Sequence, residues 1–404
     1  MSVGSPLRPN RPASPPTSAF RRPIRRIGMV STYPPKLCGL ATFAAALEQG
    51  LVRTGNRVDV VRLDDGDAID PKWITGPVVD TLINGDAASI RAAAARLSQC
   101  DVVIIQHEYG IFGGPDGDEV IDLIQAIDVP TIVVLHTVPR LPTDHQRLVL
   151  VKISELASRV IVMTKAALYR LTSSYPIDPK KVSTIPHGAT LPTTTLRADV
   201  GALTAGRTNL LTWGLLGPGK GVEHVIDAMS LLGDAYPQLH YTVAGVTHPK
   251  VFAARGDEYR ASLIERATTT GVRESVTFDN DYRDLPRLTR FVASASAVVL
   301  PYDSTDQVTS GVLVDAIAAG RPVIATAFPH AVELLRSGAG IVVPHQNPKA
   351  MAQAIRSIVE EPELLASMTV EAHRLAPSLS WTAVADRYAV LTDELVAAGQ
   401  SVAV

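Results

Sequence analysis

The sequence predicts an α/β protein that folds as two doubly wound domains. Its 404 residues exceed one ordinary core of about 100–200 residues. From residue 27 onward, short apolar runs rich in Val and Ile alternate with stretches of helical spacing. This rhythm is typical of parallel strands that helices bury on both faces. It stops once, in small and polar residues near 191–208, and then resumes, so we expect two parallel sheets joined by a linker.

The first domain is expected to span residues 27–190. Its predicted strands are the apolar runs 27–31, 58–63, 78–83, 102–106, 131–136, 160–163 and 182–185. After the first strand, Pro34 and Pro35 require a loop because proline cannot pair within a sheet. Apolar residues at helical spacing predict a helix directly after this loop, namely Leu40, Phe43, Ala44, Leu47 and Leu51.

The second domain is expected to span residues 209–378, after a linker at 191–208. Its predicted strands are the runs 209–213, 241–244, 275–278, 297–300, 323–325 and 341–343. A last helix is predicted over 379–399, because Ser380 is a suitable N-cap and one apolar stripe follows it. The members of that stripe are Val384, Tyr388, Leu391 and Leu395.

Composition narrows the class of protein and its compartment. With a formal net charge of −2 and 19% charged residues, the chain is a poor candidate for a general nucleic-acid binder. Its 46% of hydrophobic residues suits a folded core. Cys38 and Cys100, the only cysteines, cannot build a disulfide framework. No run is apolar for the roughly 18 residues that cross a bilayer, so we expect a cytoplasmic protein.

Residues 1–26 differ from the rest of the chain. They hold six arginines and six prolines, and the first acidic residue is Glu48. We predict a disordered basic leader, and the alternative is a weak electrostatic tether to an anionic membrane. The remaining chain is therefore more acidic than the overall charge suggests.

The clearest candidate for a ligand site is the glycine-rich segment 214–221, between a predicted strand and a predicted helix. Gly217 and Gly219 let the backbone approach a ligand, and Lys220 adds a positive charge to the free N–H groups of the helix N-terminus. These features suit a phosphate or diphosphate; a tight turn with a solvated lysine is the simpler alternative. The spacing approaches a P-loop, but Gly221 replaces the Ser or Thr that binds Mg²⁺ there, which disfavours an NTPase.

A second candidate loop follows the predicted strand 297–300. Ser310 suits an N-cap, so the N–H groups of Gly311 and Val312 would be free at a second helix N-terminus. Asp315 lies one turn further, where a carboxylate could accept two ribose hydroxyls; the alternative is a partly exposed helix acid. Two anion-binding helix ends in one domain favour a nucleotide diphosphate.

In the first domain, the segment 106–117 combines aromatic side chains that could stack on a sugar ring with polar groups that could bind its hydroxyls. Its candidates are His107, Glu108 and Tyr109; the alternative is a glycine-rich turn in which His107 satisfies the backbone. A catalytic pair of His107 and Glu108 is not expected, because neighbours on a strand face opposite ways. The histidines and cysteines show no metal-ligand spacing, so we expect no metal.

The order and spacing of these segments make residues 27–398 resemble the family 4 glycosyltransferases of the GT-B fold. The matching segments are 34–39 with Gly39, the strand end at His136, the pair His187-Gly188, the loop 214–221 with Lys220, the segment 315–323, and the segments 333–335 and 340–344. The resemblance implies two Rossmann-like domains that face each other across a cleft, with the C-terminal helix crossing back to the first domain.

The resemblance also implies an activity. A hexose would move from a nucleotide-diphosphate sugar (a UDP-, GDP- or ADP-sugar as co-substrate, with no other cofactor) to a carbohydrate or other hydroxyl acceptor, with retention of configuration. The implied catalytic residues are His136, Lys220 and Gln307. The implied donor-binding residues are Gly217, Gly219, Lys220, Tyr282, Ser310, Gly311, Val312 and Asp315. The implied acceptor-binding residues are Gly39, His107, Glu108 and Tyr109.

The chain departs from the family pattern at three positions. Gln307 and Asp315 stand where the family has two glutamates, and Leu215 stands where its diphosphate loop has an arginine. That arginine would supply a charge-assisted contact of about 1.5–3 kcal/mol, which Lys36 or Arg283 could replace. These departures leave two alternatives open: a degenerate, non-catalytic sugar-binding protein, and a GT-B phosphorylase or epimerase.

Overall fold

The computed structural model describes residues 22–36, 38–64, 76–192, 207–281 and 283–402. Residues 1–21 of the predicted leader, residues 193–206 of the predicted linker, and Tyr282 lie outside these ranges. The described end of the leader contacts the C-terminal helix: Arg25 Nε lies 3.0 Å from Asp393 Oδ1. The folded body therefore includes residues a few positions before residue 27.

Parallel strands of the first domain form a seven-stranded sheet in the order β3-β2-β1-β4-β5-β6-β7. These strands are β1 Arg26–Ser31, β2 Arg57–Asp64, β3 Val78–Ile83, β4 Val102–His107, β5 Thr131–Leu135, β6 Arg159–Val162 and β7 Val182–Thr184. The helices between them are α1 Gly39–Arg53, α2 Ala87–Leu97, α3 Glu119–Gln125, α4 Asp144–Leu156 and α5 Lys165–Ser174.

The second domain contains a six-stranded parallel sheet in the order β10-β9-β8-β11-β12-β13. Its strands are β8 Thr208–Trp213, β9 Leu239–Ala244, β10 Val276–Asp279, β11 Ala297–Leu300, β12 Val323–Thr326 and β13 Gly340–Val343. Its helices are α6 Val222–Leu232, α7 Pro249–Arg255, α8 Glu258–Thr269, α9 Leu285–Ser294, α10 Gly311–Ala318, α11 Pro329–Leu335, α12 Pro348–Glu360 and α13 Pro362–Leu375. Each predicted strand is present, with its ends displaced by at most two residues.

Both sheets are buried on both faces, which explains the continuous apolar runs. On β1, Met29 packs in the core cluster on one face of the first sheet and Val30 in the cluster on the other face. Successive strand side chains point to opposite faces, so both positions must be apolar. The predicted doubly wound α/β architecture is confirmed.

The C-terminal helix α14, Trp381–Val402, crosses back to the first domain as expected. Ser380 Oγ accepts a hydrogen bond from the N–H of Ala383 at 3.2 Å, which makes it the predicted N-cap. Val384 is fully buried in the first domain's core. A Cβ built on Gly50 of α1 would lie 2.8 Å from Ala385 Cβ, so only glycine allows the two helices to approach this closely.

The carboxyl ends of the two sheets face each other across a cleft. A Cβ built on Gly311, at the start of α10, would lie 2.9 Å from Nε2 of His187, which follows β7 in the other domain. Ligands of open parallel sheets bind at such strand ends. None of the described helices has the length and apolar composition needed to cross a bilayer.

Candidate functional site

The glycine-rich loop after β8 folds back tightly against the loop after β11. Gly219 has φ +86° and its carbonyl accepts the N–H of Asp303 at 3.0 Å. Gly221 has φ +66°, and a Cβ there would lie 1.8 Å from the carbonyl oxygen of Pro301. Because β8 and β11 are neighbours in the sheet, these contacts hold both predicted anion-binding loops at one edge.

Lys220 carries the positive charge of this edge. Its Nζ lies 4.7 Å from the ring centroid of Tyr302, a cation–π contact. Burial lowers the pKa of the Lys220 ammonium. Among the described residues, no carboxylate lies within ion-pair distance of Nζ. The ammonium is therefore partly desolvated and available to an anionic ligand.

The N-terminus of α10 offers a second group of hydrogen-bond donors for an anion. Ser310 Oγ accepts the N–H of Leu313 at 3.3 Å, and the Ser310 N–H donates to Nδ1 of His330 at 2.8 Å. In the described part of the chain, the N–H groups of Gly311 and Val312 have no hydrogen-bond acceptor. They are free to bind a phosphate oxygen, as the helix N-terminus favours.

Asp315 lies one turn into α10, as predicted. Burial raises the pKa of its carboxyl to about 7, and within the described residues the carboxyl has no hydrogen-bond donor. A desolvated carboxyl without a donor is suited to hydroxyl groups supplied by a ligand. By exposed surface the residue is only partly buried, which fits both the predicted ligand contact and the alternative of a partly exposed helix acid.

Gln307 lies before α10. Its Nε2 donates to the carbonyl of Thr309 at 3.0 Å, so its amide oxygen is oriented as the group that could accept a sugar hydroxyl.

An aromatic and histidine cluster lies across the cleft from α10. The ring of Phe43 on α1 makes edge contacts with His136, His187 and Trp381, at centroid distances of 4.8, 5.0 and 5.0 Å. Burial lowers the pKa of His136 to about 3 and that of His187 to about 4. Both imidazoles are therefore neutral at neutral pH, and each can donate one hydrogen bond and accept another.

Gln106, which the sequence did not single out, orients His136. Its Oε1 lies 2.8 Å from His136 Nε2, and the Gln106 side chain is fully buried at the end of β4. With the carbonyl oxygen accepting, Nε2 carries the proton and Nδ1 is left as an acceptor.

The predicted acceptor residues fall into two groups. His107 is fully buried, and both of its ring nitrogens lack a hydrogen-bond partner among the described residues. Its side chain cannot touch an acceptor in this conformation. Glu108 and Tyr109 are only partly buried: Glu108 Oε2 accepts the hydroxyl of Thr137 at 2.5 Å, and burial raises the pKa of the Glu108 carboxyl. Gly39 is exposed at the start of α1.

One of the two suggested replacements for the missing arginine has another role. Arg283 forms an ion pair with Asp279 and lies over the Phe291 ring at 4.0 Å. The Arg283 guanidinium is therefore paired within the second domain and does not replace the missing arginine in this structure.

One group of possible metal ligands occurs among the described residues, and the sequence did not suggest it. Ligand atoms of Glu223, His224 and Asp303 lie within 4.8 Å of one another. His224 Nε2 contacts Asp303 Oδ1 at 3.0 Å, and Glu223 Oε2 accepts the hydroxyl of Tyr259 at 2.8 Å. The N–H of Asp303 also donates to the carbonyl of Gly219, so the group lies beside the glycine-rich loop.

Two family models match the chain. The model described as Glycosyltransferase Family 4 matches residues 38–191, and that described as Glycosyl transferases group 1 matches residues 200–374. The chain is 26% identical over 383 residues to a D-inositol 3-phosphate glycosyltransferase of Jonesia denitrificans, covering 85% of this chain and 86% of that protein. It is 30% identical over 244 residues to the protein of that name in Rhodococcus opacus, covering 57% of this chain and 52% of that protein.

Solved structures share the fold. Anabaena Alr3699/HepE in complex with UDP superimposes with a TM-score of 0.73 and 17% identity, covering 92% of this chain and all of that chain. Sucrose-phosphate synthase of Thermosynechococcus elongatus gives a TM-score of 0.70 and 19% identity, covering 93% of this chain and all of that chain.

Proposed function

The chain belongs to the family 4 glycosyltransferases of the GT-B fold, and from this we propose that it moves a hexose from a nucleotide-diphosphate sugar to a hydroxyl acceptor, with retention of configuration. The donor would bind the second domain and the acceptor the first. The reaction would then take place in the cleft between the two sheets.

One observation carries this proposal: two sources of positive potential lie side by side at the edge formed by β8 and β11. They are the Lys220 ammonium, which has no carboxylate partner among the described residues, and the free N–H groups at the start of α10. In a hexosyl transfer, negative charge develops on the departing nucleotide diphosphate. Preoriented donors in a partly desolvated site stabilise this charge more in the transition state than in the ground state.

The remaining contacts would fix the two sugars of the donor. Asp315 would bind the ribose hydroxyls, while Gln307 and the neutral His136 would hydrogen-bond the transferred hexose. The charge of Lys220 would neutralise the diphosphate, a role that a divalent metal has in other enzymes. On this proposal, transfer requires no cofactor and continues in the presence of a chelator.

The relatives guide the choice of substrates to test. Two of the solved neighbours are complexes with UDP and with UDP-glucose, so UDP is the first nucleotide to examine. D-inositol 3-phosphate is included among the acceptors because relatives carry that name. The acceptor would contact Glu108 and Tyr109.

The test begins with binding. UDP, GDP and ADP are titrated by calorimetry, and thermal unfolding is recorded at saturation, where a hundredfold excess over Kd stabilises by about 2.7 kcal/mol. The matching nucleotide sugar is then incubated with an acceptor panel, and NMR reports the anomeric configuration of the product. Absence of both transfer and slow donor hydrolysis would favour a sugar-binding protein. Phosphate-dependent cleavage of a glycoside would identify a phosphorylase.

A further inference from the structure

Contacts between the two domains concentrate around the loop that carries Gln307. We define the interdomain clasp as Thr164 and Arg170 of the first domain together with Asp306 and Val308 of the second. Asp306 and Val308 are the two neighbours of Gln307 in the chain, so the clasp holds this residue from both sides.

The polar half of the clasp is centred on Arg170 in α5. Its Nη1 lies 2.8 Å from the carbonyl oxygen of Val138, 3.0 Å from the carbonyl oxygen of Asp306 and 2.8 Å from Asp306 Oδ1. The other carboxylate oxygen of Asp306 accepts the N–H of Arg140 at 3.2 Å. The Arg170 side chain is 12% exposed and that of Asp306 42% exposed. Water therefore screens the ion pair from the Asp306 side, while the guanidinium itself is mostly buried.

The apolar half of the clasp is Val308. This residue belongs to the second domain by sequence, but it is 4% exposed and packs in a core cluster of the first domain. Its carbonyl accepts the buried Thr164 hydroxyl at 2.9 Å. Insertion of Val308 fixes the depth of the loop, while Arg170 fixes its lateral position.

A second contact braces the same region. On α11, the carboxylate of Glu333 accepts the N–H groups of Lys165 and Ala166 at 2.9 and 2.8 Å. These groups open α5, where a negative charge is favoured by the helix dipole. The second domain therefore contacts α5, the helix that carries Arg170, through Glu333 as well as through the clasp.

We propose that Arg170 is a positioning residue that sets the distance between the two sugar-binding groups of the cleft. One guanidinium nitrogen of Arg170 contacts the backbone of both Val138 and Asp306. Val138 lies two residues after His136, and Asp306 directly precedes Gln307. This inference rests on the proposed function for its kinetic consequence, but the closed arrangement of the domains that it predicts can be measured without a substrate. Arg170 touches no donor atom in this scheme and acts only through the loops it joins.

The experiment compares Arg170→Gln with Arg159→Gln. Arg159 is a matched control because its Nη1 also donates to a backbone carbonyl, that of Lys180 at 2.7 Å, but within the first domain. We expect Arg170→Gln to lower kcat for transfer about tenfold or more, as expected for loss of a charged hydrogen bond that acts on the transition state. The nucleotide diphosphate Kd should stay within about twofold, because its ligands all lie in the second domain. Small-angle scattering should show a larger radius of gyration for this variant alone.

Two further variants keep the test informative if Arg170→Gln folds poorly. Arg170→Lys retains the charge and should lose less activity, and Asp306→Asn should lower kcat without adding to the effect of Arg170→Gln in the double variant. Unchanged kcat together with unchanged scattering would overturn the inference. So would an equal loss of nucleotide binding, since Arg170 would then belong to the donor site. If no donor is turned over by the native chain, the proposed function fails, and scattering still decides whether the clasp closes the domains.

Discussion

Replacing Lys220 by alanine removes the positive charge on which the proposed chemistry depends. Its Nζ lies 4.7 Å from the Tyr302 ring, and within the described residues it has no carboxylate partner. The free protein therefore loses a cation–π contact of about 0.5–2 kcal/mol, since the ammonium is partly desolvated. Burial lowers the pKa of this ammonium, which means that holding the charge costs stability, and its removal offsets part of that loss. We expect the melting temperature to change by only a few degrees.

The effect on catalysis should be much larger. A charged hydrogen bond contributes about 1.5–3 kcal/mol, and a unit charge about 4 Å from a phosphate oxygen, at an effective dielectric constant near 20, contributes about 4 kcal/mol. Since each 1.36 kcal/mol corresponds to tenfold in rate, kcat/KM should fall by about 10 to 10³-fold. Most of the loss should be in kcat, because the phosphate charge grows as the glycosidic bond breaks.

The assay measures initial rates of sugar transfer for Lys220→Ala beside Lys250→Ala. Lys250 is exposed in the first turn of α7, and its backbone rather than its side chain contacts His248. This control should keep the native rate. If Lys220→Ala transferred sugar at a near-native rate, the assignment of the glycine-rich loop as the diphosphate site would be wrong.

Three further predictions follow from the geometry. Burial raises the pKa of Asp315 to about 7, and hydroxyl donors favour the ionised carboxylate, so calorimetric affinity for UDP-glucose should rise from about pH 6 to about pH 8 in the native chain. The affinity of Asp315→Asn should not change over this pH range. An equal change of affinity with pH in both proteins would contradict ribose binding by this carboxyl. Burial lowers the pKa of His107 to about 4, so between about pH 6.5 and 4 the unfolded chain binds a proton that the folded chain does not, and stability falls as the pH falls. His107→Leu should reduce the dependence of unfolding free energy on pH by at most about 1.4 kcal/mol per pH unit in denaturant titrations. The variant should keep its transfer activity. A folded variant without activity would show that His107 belongs to the acceptor site. Gly221→Ala should abolish calorimetric UDP binding, because its Cβ would lie 1.8 Å from the Pro301 carbonyl. Gly256→Ala, at a similar φ of +59° but in open space, should keep it.

Much of the fold follows from local sequence. Apolar runs placed the strands within two residues, and the stripe after Ser380 predicted the face of α14 that packs on the first domain. The glycines around Lys220 were equally informative, because a positive φ and a close approach to Pro301 require residues without a Cβ. Such features depend on periodicity or on steric limits at single positions, and both can be read along a chain.

The tertiary structure decided which candidate side chains reach the cleft. His107 and Glu108 looked equally suitable in the sequence, but His107 points into the core and Glu108 bonds Thr137. Strand alternation states that neighbours face opposite ways, and only packing of the sheet against its helices determines which way is inside. The orientation of His136 by Gln106 has the same origin, since β4 and β5 must first pair in register.

Contacts between the domains were the feature that the sequence predicted least. Arg170 and Asp306 are 136 residues apart, and Val308 is an ordinary apolar residue until it enters the core of the other domain. The sequence by itself determined two parallel sheets and the loops at their carboxyl ends, and it supplied the candidate residues for a diphosphate site. How the sheets face each other, and thus which residues meet across the cleft, was decided only by the tertiary structure, because non-local contacts depend on the shapes of two complete surfaces rather than on any local period.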